Sequence, residues 1–340
     1  MTRLDEKLAR IRAGAYRASD FLIADAKDGD MGPSLAGCGR ARAADGTPQG
    51  LRTRAQFLDQ IRAIVAQDIV DIMLVSVANL ERLSAEGVFA ASRVKPAIRA
   101  NDTTDIWRMR GATYHLSPSR AFRTASLSRV MHATAQPAPG AAITGTDLGL
   151  YSVTFNNDIA ADVASLEAFA AFREDAARHG FRYFLEVFNP NVECGIDAET
   201  LPHYVNDCIL RCLAGVAAAD RPQFLKIAYN GPRALEELAG FDPGLIVGVL
   251  GGGAGTTRDT FELLHQAERH GARVALFGRK INLAEDPLAI VALMREVASG
   301  NIAPAAAVKE YHAGLAKAGI RPDRALDTDL EITEAPLREG

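Results

Sequence analysis

Leu245-Ile246-Val247-Gly248-Val249-Leu250 is a short apolar run that predicts a β-strand, and Arg273-Val274-Ala275-Leu276-Phe277 is a second run of the same kind. Between them, residues 257–271 place their apolar side chains on one face of a helix. Two strands joined by a helix in this way lie parallel in one sheet, with the helix packed against it. This stretch therefore predicts an α/β fold.

The same strand–helix unit recurs along the whole chain. Apolar runs predict eight strands, at residues 21–24, 70–75, 96–100, 148–155, 182–187, 224–229, 245–250 and 273–277. Helical segments such as residues 53–67 lie between them. Eight units favour a closed (β/α)8 TIM barrel over an open doubly wound sheet. We expect residues 1–340 to form a single domain whose barrel core covers about residues 20–300.

Three segments fall outside the repeating units. Residues 4–18 predict an extra N-terminal helix, and residues 303–318 predict a helix within a C-terminal extension, residues 301–340. Residues 102–146 form a long insertion between the third and fourth strands and contain the arginines Arg108, Arg110, Arg120, Arg123 and Arg129. A connection of this length is either a functional loop or covering insertion, or a solvated surface excursion, and the sequence leaves both interpretations open.

The composition is that of a globular protein without a strong charge bias. There are 42 acidic and 38 basic residues, a formal net charge of −4, which excludes a generally cationic nucleic-acid binder. No apolar run reaches the roughly 18 residues of a membrane helix, and the N-terminus lacks the apolar core of a signal peptide, so we expect no membrane contact and a cytoplasmic location. The four cysteines contain no C-x-x-C pair, and no histidine pair has zinc-enzyme spacing. We therefore expect reduced thiols and neither a metal nor another cofactor.

A lysine stands inside the strand predicted at residues 224–229. Side chains alternate across a strand, so Lys226 shares a face with Phe224 and Ala228, and in a barrel one face points to the interior. Burial favours the neutral form of an amine, and a neutral amine attacks carbonyl carbons, which favours Schiff-base chemistry. A lysine that extends outward, or that pairs with a carboxylate for a structural reason, fits the same pattern.

Glu186 occupies the matching position in the preceding strand, within Tyr183-Phe184-Leu185-Glu186-Val187-Phe188. Because the two strands are consecutive in the chain, we expect Glu186 to lie beside Lys226 in the barrel. A carboxyl group next to a buried amine can move protons during carbinolamine formation and C–C cleavage. The same geometry also suits a buried ion pair with no catalytic task.

Glycines follow the seventh and eighth strands. Gly251-Gly252-Gly253 and Gly278-Arg279 let backbone amides approach an anion, and barrels often bind phosphate between these two loops. The guanidinium adds a planar cation. We therefore expect a phosphate group to contact Gly252, Gly253, Gly278 and Arg279. The alternative is a pair of tight turns that require glycine.

A polar cluster follows the first strand, in Ala24-Asp25-Ala26-Lys27-Asp28-Gly29-Asp30. We expect Asp25 to orient substrate hydroxyls or to balance the charge of a protonated imine. Lys27 is a second basic candidate for substrate binding, expected in a loop where solvent keeps it charged. An acidic metal loop at Asp28 and Asp30 is the weaker interpretation, because no regular ligand spacing continues beyond them.

Taken together, these motifs resemble those of the class I, Schiff-base aldolases of the bacterial and archaeal barrel type, a group that includes tagatose-1,6-bisphosphate aldolase and archaeal-type fructose-bisphosphate aldolase. Phe224-Leu225-Lys226 resembles the strand of the Schiff-base lysine, and Gly251-Gly252-Gly253 with Gly278-Arg279 resembles the phosphate-binding loops. Phe184-Leu185-Glu186 is similar to the tagatose branch, in which that glutamate is the proton shuttle. Ala24-Asp25 resembles the first-strand aspartate of both branches.

Three departures from the family pattern concern the substrate and its loops. The archaeal-type enzymes use a tyrosine on the fifth strand, where the nearest residue here is Phe188. The tagatose branch has a substrate-contacting lysine on the fourth strand, and residues 148–155 contain none. Lys280 stands where the archaeal-type enzymes usually have asparagine. The resemblance therefore leaves the identity of the sugar open.

The resemblance implies an aldehyde-lyase that cleaves or forms a phosphorylated ketose or sugar acid without a cofactor, with dihydroxyacetone phosphate as one product. Lys226 would form the Schiff base, Glu186 would move the proton and Asp25 would orient the substrate. The phosphate group would contact Gly252, Gly253, Gly278, Arg279 and Lys27. We also expect a homo-oligomer. A phosphate-binding barrel without lyase activity, either a thiolase-like acyl transferase or a non-catalytic sugar-phosphate binder, is the alternative.

Overall fold

The computed structural model describes residues 2–339, and its centre is a closed barrel of parallel strands. The strands are β1 (Leu22–Lys27), β2 (Ile72–Val75), β3 (Lys95–Arg99), β4 (Leu148–Thr154), β5 (Arg182–Phe188), β6 (Leu225–Ile227), β7 (Gly248–Leu250) and β8 (Val274–Phe277). Each strand pairs with the next one along the chain, and β8 pairs with β1 to close the barrel. All eight predicted strands and the (β/α)8 fold are therefore confirmed.

Helices alternate with these strands along the chain. They are α1 (Arg3–Arg12), α2 (Arg54–Gln67), α3 (Val77–Ala85), α4 (Leu127–His132), α5 (Ile159–His179), α6 (Leu201–Ala214), α7 (Pro232–Phe241), α8 (Thr257–Arg269), α9 (Arg279–Asn282), α10 (Pro287–Ala298), α11 (Pro304–Ala318) and α12 (Leu326–Asp329). The predicted C-terminal helix matches α11, whereas α1 is shorter than predicted because Gly14 follows it with a left-handed φ of 69°. None of the helices within residues 2–339 combines the length and the apolar character needed to span a membrane.

Strand alternation sorts the apolar side chains into an interior core and an outer core. The interior core contains Leu22, Ala24, Ile72, Leu74, Ala97, Leu148, Leu150, Phe184, Phe224, Ile246, Val274 and Leu276. Leu4 and Leu8 of α1 belong to the same cluster, so α1 closes the N-terminal end of the barrel. The rings of Phe184 and Phe224 stack with their centroids 4.6 Å apart. Polar side chains that follow these residues on the strands therefore lie towards the C-terminal end.

The insertion at residues 102–146 is folded down onto the C-terminal end of the barrel. It contains a short antiparallel strand pair, Asp102–Thr103 with Ala121–Phe122, and the helix α4. Asp105 is buried, and its carboxylate accepts hydrogen bonds from Thr154 Oγ1 at the end of β4 (3.0 Å) and from Ser119 Oγ (2.8 Å). Of the two alternatives left open by the sequence, the structure thus shows a covering loop.

The C-terminal segment, defined as residues 326–339, lies against the start of α8. Thr257 N, in the first turn of α8, donates a hydrogen bond to Asp329 Oδ1 at 2.8 Å. Thr333 donates to the carboxylate of Asp259 from its backbone amide (2.8 Å) and from its hydroxyl (2.5 Å). Because α8 follows the glycine loop after β7, the C-terminal segment reaches the same end of the barrel as that loop.

Candidate active site

Lys226 and Glu186 meet inside the barrel at its C-terminal end. They are register partners on β6 and β5, two residues beyond the stacked Phe224 and Phe184. Lys226 Nζ lies 2.5 Å from Glu186 Oε1. Only 6% of Lys226 and 1% of Glu186 is exposed to solvent. The structure therefore brings together the two residues that the strand pattern places on neighbouring strands.

The second carboxylate oxygen of Glu186 is held by β4 and β3. Ser152 is the register partner of Glu186 on β4, and its Oγ donates a hydrogen bond to Glu186 Oε2 at 2.6 Å. Arg99, the last residue of β3, donates from Nη2 to the same oxygen at 3.3 Å and from Nη1 to Ser152 Oγ at 2.8 Å. These contacts orient the carboxylate so that Oε1 faces Lys226.

Asp28, directly after β1, completes a buried group of polar side chains that we call the inner cluster: Asp28, Arg99, Ser152, Glu186 and Lys226. Arg99 Nε donates to Asp28 Oδ2 at 2.6 Å. Burial alone would raise the pKa of Asp28, but the charges of Arg99 and Lys226 outweigh burial and lower it. For Arg99, burial alone would lower the pKa, and the charges of Asp28 and Glu186 raise it instead. Two carboxylates and two cations therefore balance each other.

Asn101 fixes the backbone of β4 at Ser152. Asn101 Oδ1 accepts a hydrogen bond from Ser152 N at 2.7 Å, and Asn101 Nδ2 donates to Ser152 O at 2.8 Å. The register pairing of β3 with β4 runs through Arg99 and Leu150, so this side chain extends the contact between the two strands beyond the end of β3. The hydroxyl that holds Glu186 is therefore itself held in place.

Asp25 and Lys27 do not belong to the inner cluster. On β1, Leu22 and Ala24 face the interior, so Asp25 and Lys27 share the opposite face with Ile23. Their side chains are fully buried, and Asp25 Oδ2 lies 3.1 Å from Lys27 Nζ. Asp25 was expected to orient substrate hydroxyls or to balance the charge of a protonated imine; strand alternation turns it away from the interior and from Lys226, which contradicts that expectation.

The prediction that Lys27 lies in a solvated loop is also wrong. Lys27 is the last residue of β1, and the pairing of β1 with β2 continues to Lys27 and Val75. Burial lowers the pKa of Lys27, while the charge of Asp25 opposes that effect. Lys27 therefore has a buried carboxylate partner, and we do not assign it to substrate binding.

Asp28 and Asp30 make contacts with the protein itself. Asp30 Oδ2 accepts hydrogen bonds from Ser76 Oγ at 2.6 Å and from Asn79 Nδ2 at 3.1 Å, and Asp28 is bound to Arg99. Within residues 2–339, no group of three or more His, Cys, Asp or Glu side chains is arranged as a metal site. The two carboxylates therefore act as hydrogen-bond acceptors for neighbouring side chains.

The loops after β7 and β8 adopt geometries that depend on glycine. Gly252 has a left-handed φ of 64°. A Cβ atom on Gly278 would lie 3.1 Å from Ala26 O of β1, so a larger residue would crowd this carbonyl and require a local shift. A Cβ atom on Gly253 would meet no atom within 4 Å, so the loop after β7 has free space beside it at this point.

Arg279 and Lys280 follow β8 but lie in different surroundings. Desolvation and the nearby guanidinium of Arg108, from the insertion, lower the pKa of Arg279. The side chain of Lys280 is fully buried, and its Nζ lies 2.8 Å from Glu334 Oε1. Lys280 thus already has a carboxylate partner, whereas Arg279 has a second cation beside it.

Arg99 and Ser152 were not among the residues predicted for the site, and Asp28 was considered only as part of a metal loop. The signal that could have found them is the one that revealed Lys226, a polar residue on the interior side of an otherwise apolar strand. Arg99 and Ser152 both interrupt apolar runs in this way. Counting along β1 in steps of two from Leu22 leads to residue 28 and not to residue 25.

Comparisons with known proteins find the same fold. An archaeal fructose-1,6-bisphosphate aldolase, whose catalytic Lys is covalently bound to the carbinolamine intermediate of the substrate, is 15% identical with a TM-score of 0.60, and the alignment covers 87% of this chain and 100% of that one. A Corynebacterium glutamicum protein is 17% identical with a TM-score of 0.58, covering 88% and 98% of the two chains. Fructose-bisphosphate aldolase from Plasmodium falciparum is 12% identical with a TM-score of 0.50, covering 94% and 96%. Neither a protein-family model nor a curated protein matches this chain. The structural similarity shows that these proteins share a fold with this chain, and at identities this low it shows the fold alone.

Proposed function

We propose that this chain is a class I aldolase, a carbon–carbon lyase that acts on a phosphorylated ketose or sugar acid through a Schiff base on Lys226. The observation that carries the proposal is the 2.5 Å contact between Lys226 Nζ and Glu186 Oε1. It lies in the barrel interior at the C-terminal end, where enzymes with this fold have their active sites. The similarity in fold to an aldolase with an intermediate bound to its lysine supports the proposal.

Proton transfer between the two side chains prepares the nucleophile. Glu186 Oε1 takes a proton from Lys226 Nζ, which leaves a neutral amine and a neutral carboxyl group. The amine attacks the ketone carbon, and a proton moves from nitrogen to oxygen to give a carbinolamine. Glu186 then donates its proton to the carbinolamine hydroxyl, which leaves as water. An iminium ion remains on Lys226, and Glu186 is again a carboxylate.

The iminium ion then accepts the electrons of the bond that breaks. The bond between the carbons α and β to the iminium carbon is cleaved, and its electron pair forms an enamine on Lys226. Glu186 takes the proton of the hydroxyl on the departing carbon, which is released as an aldehyde. Protonation of the enamine and hydrolysis of the imine release the keto fragment, which we propose is dihydroxyacetone phosphate.

The rest of the inner cluster keeps charges matched while the proton moves. Arg99 and Ser152 contact Glu186 Oε2, so Oε1 faces the amine. When Lys226 and Glu186 are both neutral, the ion pair between Arg99 and Asp28 stays intact. The interior therefore contains no unpaired charge at either stage, which avoids the cost of an isolated buried ion.

We assign the phosphate group of the substrate to the loops after β7 and β8. The groups that would bind it are the backbone amides of Gly252, Gly253 and Gly278 and the guanidinium of Arg279. The left-handed backbone at Gly252 and the free space beside Gly253 support this assignment. Binding of the phosphate away from the reacting carbon would hold the ketone in line with Lys226.

Borohydride reduction in the presence of dihydroxyacetone phosphate tests the imine. We expect peptide mass mapping to show, on the peptide that contains Lys226, the mass of this compound less one water plus two hydrogen atoms. The substitution Lys226→Met is expected to abolish the adduct. Lys7→Met removes a buried lysine at the other end of the barrel and is expected to keep it.

Two results would contradict the assignment. An adduct that persists in Lys226→Met would mean that another lysine forms the imine. The absence of any adduct with this and other keto phosphates, in protein that still binds inorganic phosphate, would favour a phosphate-binding barrel without lyase activity. Thermal unfolding of both variants establishes that each is folded when it is tested.

A further inference from the structure

The carboxylate of Glu334, in the C-terminal segment, lies against the glycine loop after β7. A Cβ atom on Gly255 would be 3.0 Å from Glu334 Oε1, and one on Gly252 would be 4.0 Å from Glu334 Oε2. Lys280, just after β8, donates from Nζ to Glu334 Oε1 at 2.8 Å. An anion belonging to the chain itself thus lies between the two loops to which the phosphate group is assigned.

Lys280 depends on this anion. Its side chain is fully buried, and a buried ammonium group without a partner is costly. Burial lowers the pKa of Lys280, and the charge of Glu334 opposes that effect. Any ligand that takes the place of Glu334 must therefore bring a negative charge of its own.

The backbone at Glu334 is anchored, so its side chain is the part that is able to move. Thr333 N and Glu334 N both donate to Asp259 Oδ1, at 2.8 and 3.3 Å. Three residues later Leu337 is buried, and its carbonyl accepts a hydrogen bond from Gln266 Nε2 at 2.8 Å. The side chain of Glu334 is 29% exposed, which leaves it a path away from Lys280 into solvent.

We propose that Glu334 is a built-in competitor for the phosphate site, displaced from Lys280 when the phosphate group of the substrate binds. This inference rests on the proposed function, from which it takes the location of the phosphate. Like charges a few ångströms apart repel, so Glu334 lowers the affinity for every ligand phosphate. Once displaced, it leaves the ammonium of Lys280 free to bind the phosphate oxygens. A neutral sugar end offers Lys280 no such partner, so the exchange selects phosphorylated ligands over unphosphorylated ones.

Calorimetric titration with inorganic phosphate tests the competition. Glu334→Gln keeps the size of the side chain and removes its charge, and we expect phosphate to bind about tenfold more tightly. Glu331→Gln is the matched control, because it makes the same change in net charge at an exposed side chain of the same segment. We expect the control to stay within about twofold of the unsubstituted protein, since solvent screens a distant charge.

Each outcome decides the proposal. Tighter binding in Glu334→Gln alone supports it, including the case in which phosphate binding is detectable only in that variant. Unchanged, weaker or undetectable binding in the folded variant would overturn it, as would an equal gain in Glu331→Gln. Thermal unfolding is recorded first, and Glu334→Ala, with the same expectation, replaces Glu334→Gln if that variant does not fold.

The titration is independent of the lysine chemistry, so the two proposals are able to fail separately. A phosphate affinity that responds to Glu334→Gln, in protein that yields no borohydride adduct, would leave this inference standing and remove the proposed lyase activity. An adduct on Lys226, together with a phosphate affinity that does not respond, would do the reverse.

Discussion

Two buried clusters of charged side chains lie at opposite ends of the barrel. At the C-terminal end, the inner cluster has two carboxylates and two cations, with the lysine Lys226 bound to one of the carboxylates. At the N-terminal end, the carboxylate of Asp71 is surrounded by Arg3, Lys7 and Arg295. Exposure is nearly the same for the two lysines, 6% for Lys226 and 7% for Lys7. Burial alone therefore does not distinguish the lysine to which we assign the chemistry from the other one.

The difference lies in the partners of each carboxylate. Asp71 Oδ1 contacts Arg3 Nε and Lys7 Nζ, both at 2.9 Å, while Oδ2 contacts Arg295 Nη2 at 3.0 Å and Ile23 N at 2.9 Å. Four donors therefore occupy both oxygens of this carboxylate. In the inner cluster one oxygen of the carboxylate is turned towards the lysine, and the other is held by separate donors.

The balance of charge also differs. Burial lowers the pKa of Lys7 to about 8; the attraction of Asp71 opposes this shift, and the repulsion of Arg295 adds to it. Three cations there contact Asp71, and of these Arg3 alone also contacts the exposed Asp68, so the cations outnumber the carboxylates and the loss of one proton from the cluster is tolerated. A lowered lysine pKa is thus compatible with a structural role, and the position in the barrel and the partner decide the function.

Replacing each lysine in turn is expected to separate the two clusters most strongly. Lys226→Met removes the amine that we propose attacks the ketone, and we expect at least about a 10⁴-fold loss in the rate at which dihydroxyacetone phosphate exchanges its α-protons in deuterium oxide, followed by NMR. Lys7→Met is expected to keep a rate close to that of the unsubstituted protein. Equal losses in both folded variants would remove the distinction between the two ends.

Replacing the carboxylates sharpens the same distinction. Glu186→Gln keeps the size of the side chain and removes the proposed proton carrier, so the exchange rate is expected to fall about 10²- to 10⁴-fold in the NMR assay. Asp71→Asn leaves Lys7 and Arg295 without a carboxylate partner and Arg3 with Asp68 alone, and we expect a loss of about 3–5 kcal/mol in urea unfolding with the exchange rate of the folded protein retained. Full exchange activity in Glu186→Gln would mean that another group moves the proton.

Arg99→Met tests whether charge or packing holds the inner cluster together. We expect a loss of about 3 kcal/mol near pH 7, because Asp28 and Glu186 lose their shared cation. The pKa of Asp28 is lowered from its ordinary value of 3.8, so its contribution to stability is present above that pH and disappears as the pH falls. Urea unfolding at about pH 2.5, below that ordinary value, is therefore expected to show a smaller loss. Equal losses at both pH values would indicate packing instead of charge.

The smallest expected effect concerns the pH dependence of the N-terminal cluster. The ordinary pKa of lysine is 10.5, and that of Lys7 in the folded chain is about 8. Between these values the unfolded chain binds a proton that the folded chain does not, so the free energy of unfolding rises with pH. We expect urea unfolding at about pH 8 and pH 10 to show a larger rise in the unsubstituted protein than in Lys7→Met. An identical rise in the free energy of unfolding in both proteins would show that burial does not lower the pKa of Lys7.

Much of the fold and the central pair of the site could be predicted because both depend on local patterns. Apolar runs separated by amphipathic helices define the barrel, and Lys226 and Glu186 are the polar residues that interrupt two of those runs. The prediction for Asp25 failed because the first strand was expected to end at residue 24, whereas β1 continues to Lys27. An error of a few residues at the end of a strand is enough to choose the wrong face.

The contacts of Arg99 and Ser152 were harder to predict for a different reason. Their hydrogen bond joins residues 53 positions apart, and the contact between Arg99 and Glu186 spans 87 positions. A long side chain at the end of a strand is able to point to several neighbours, and the choice depends on packing around it. The alternation rule indicates that Arg99 faces the interior and does not say which carboxylate it contacts.

Local periodicity was sufficient for the (β/α)8 barrel and for the neighbouring positions of Lys226 and Glu186, because the alternation of side chains and the succession of strands are properties of short stretches of chain. Tertiary packing was needed to place Asp28 and Arg99 against that pair, to turn Asp25 and Lys27 away from it and to bring Glu334 to the loops after β7 and β8. These contacts join segments that are distant along the chain, and their geometry exists only once the strands and the C-terminal segment have packed together.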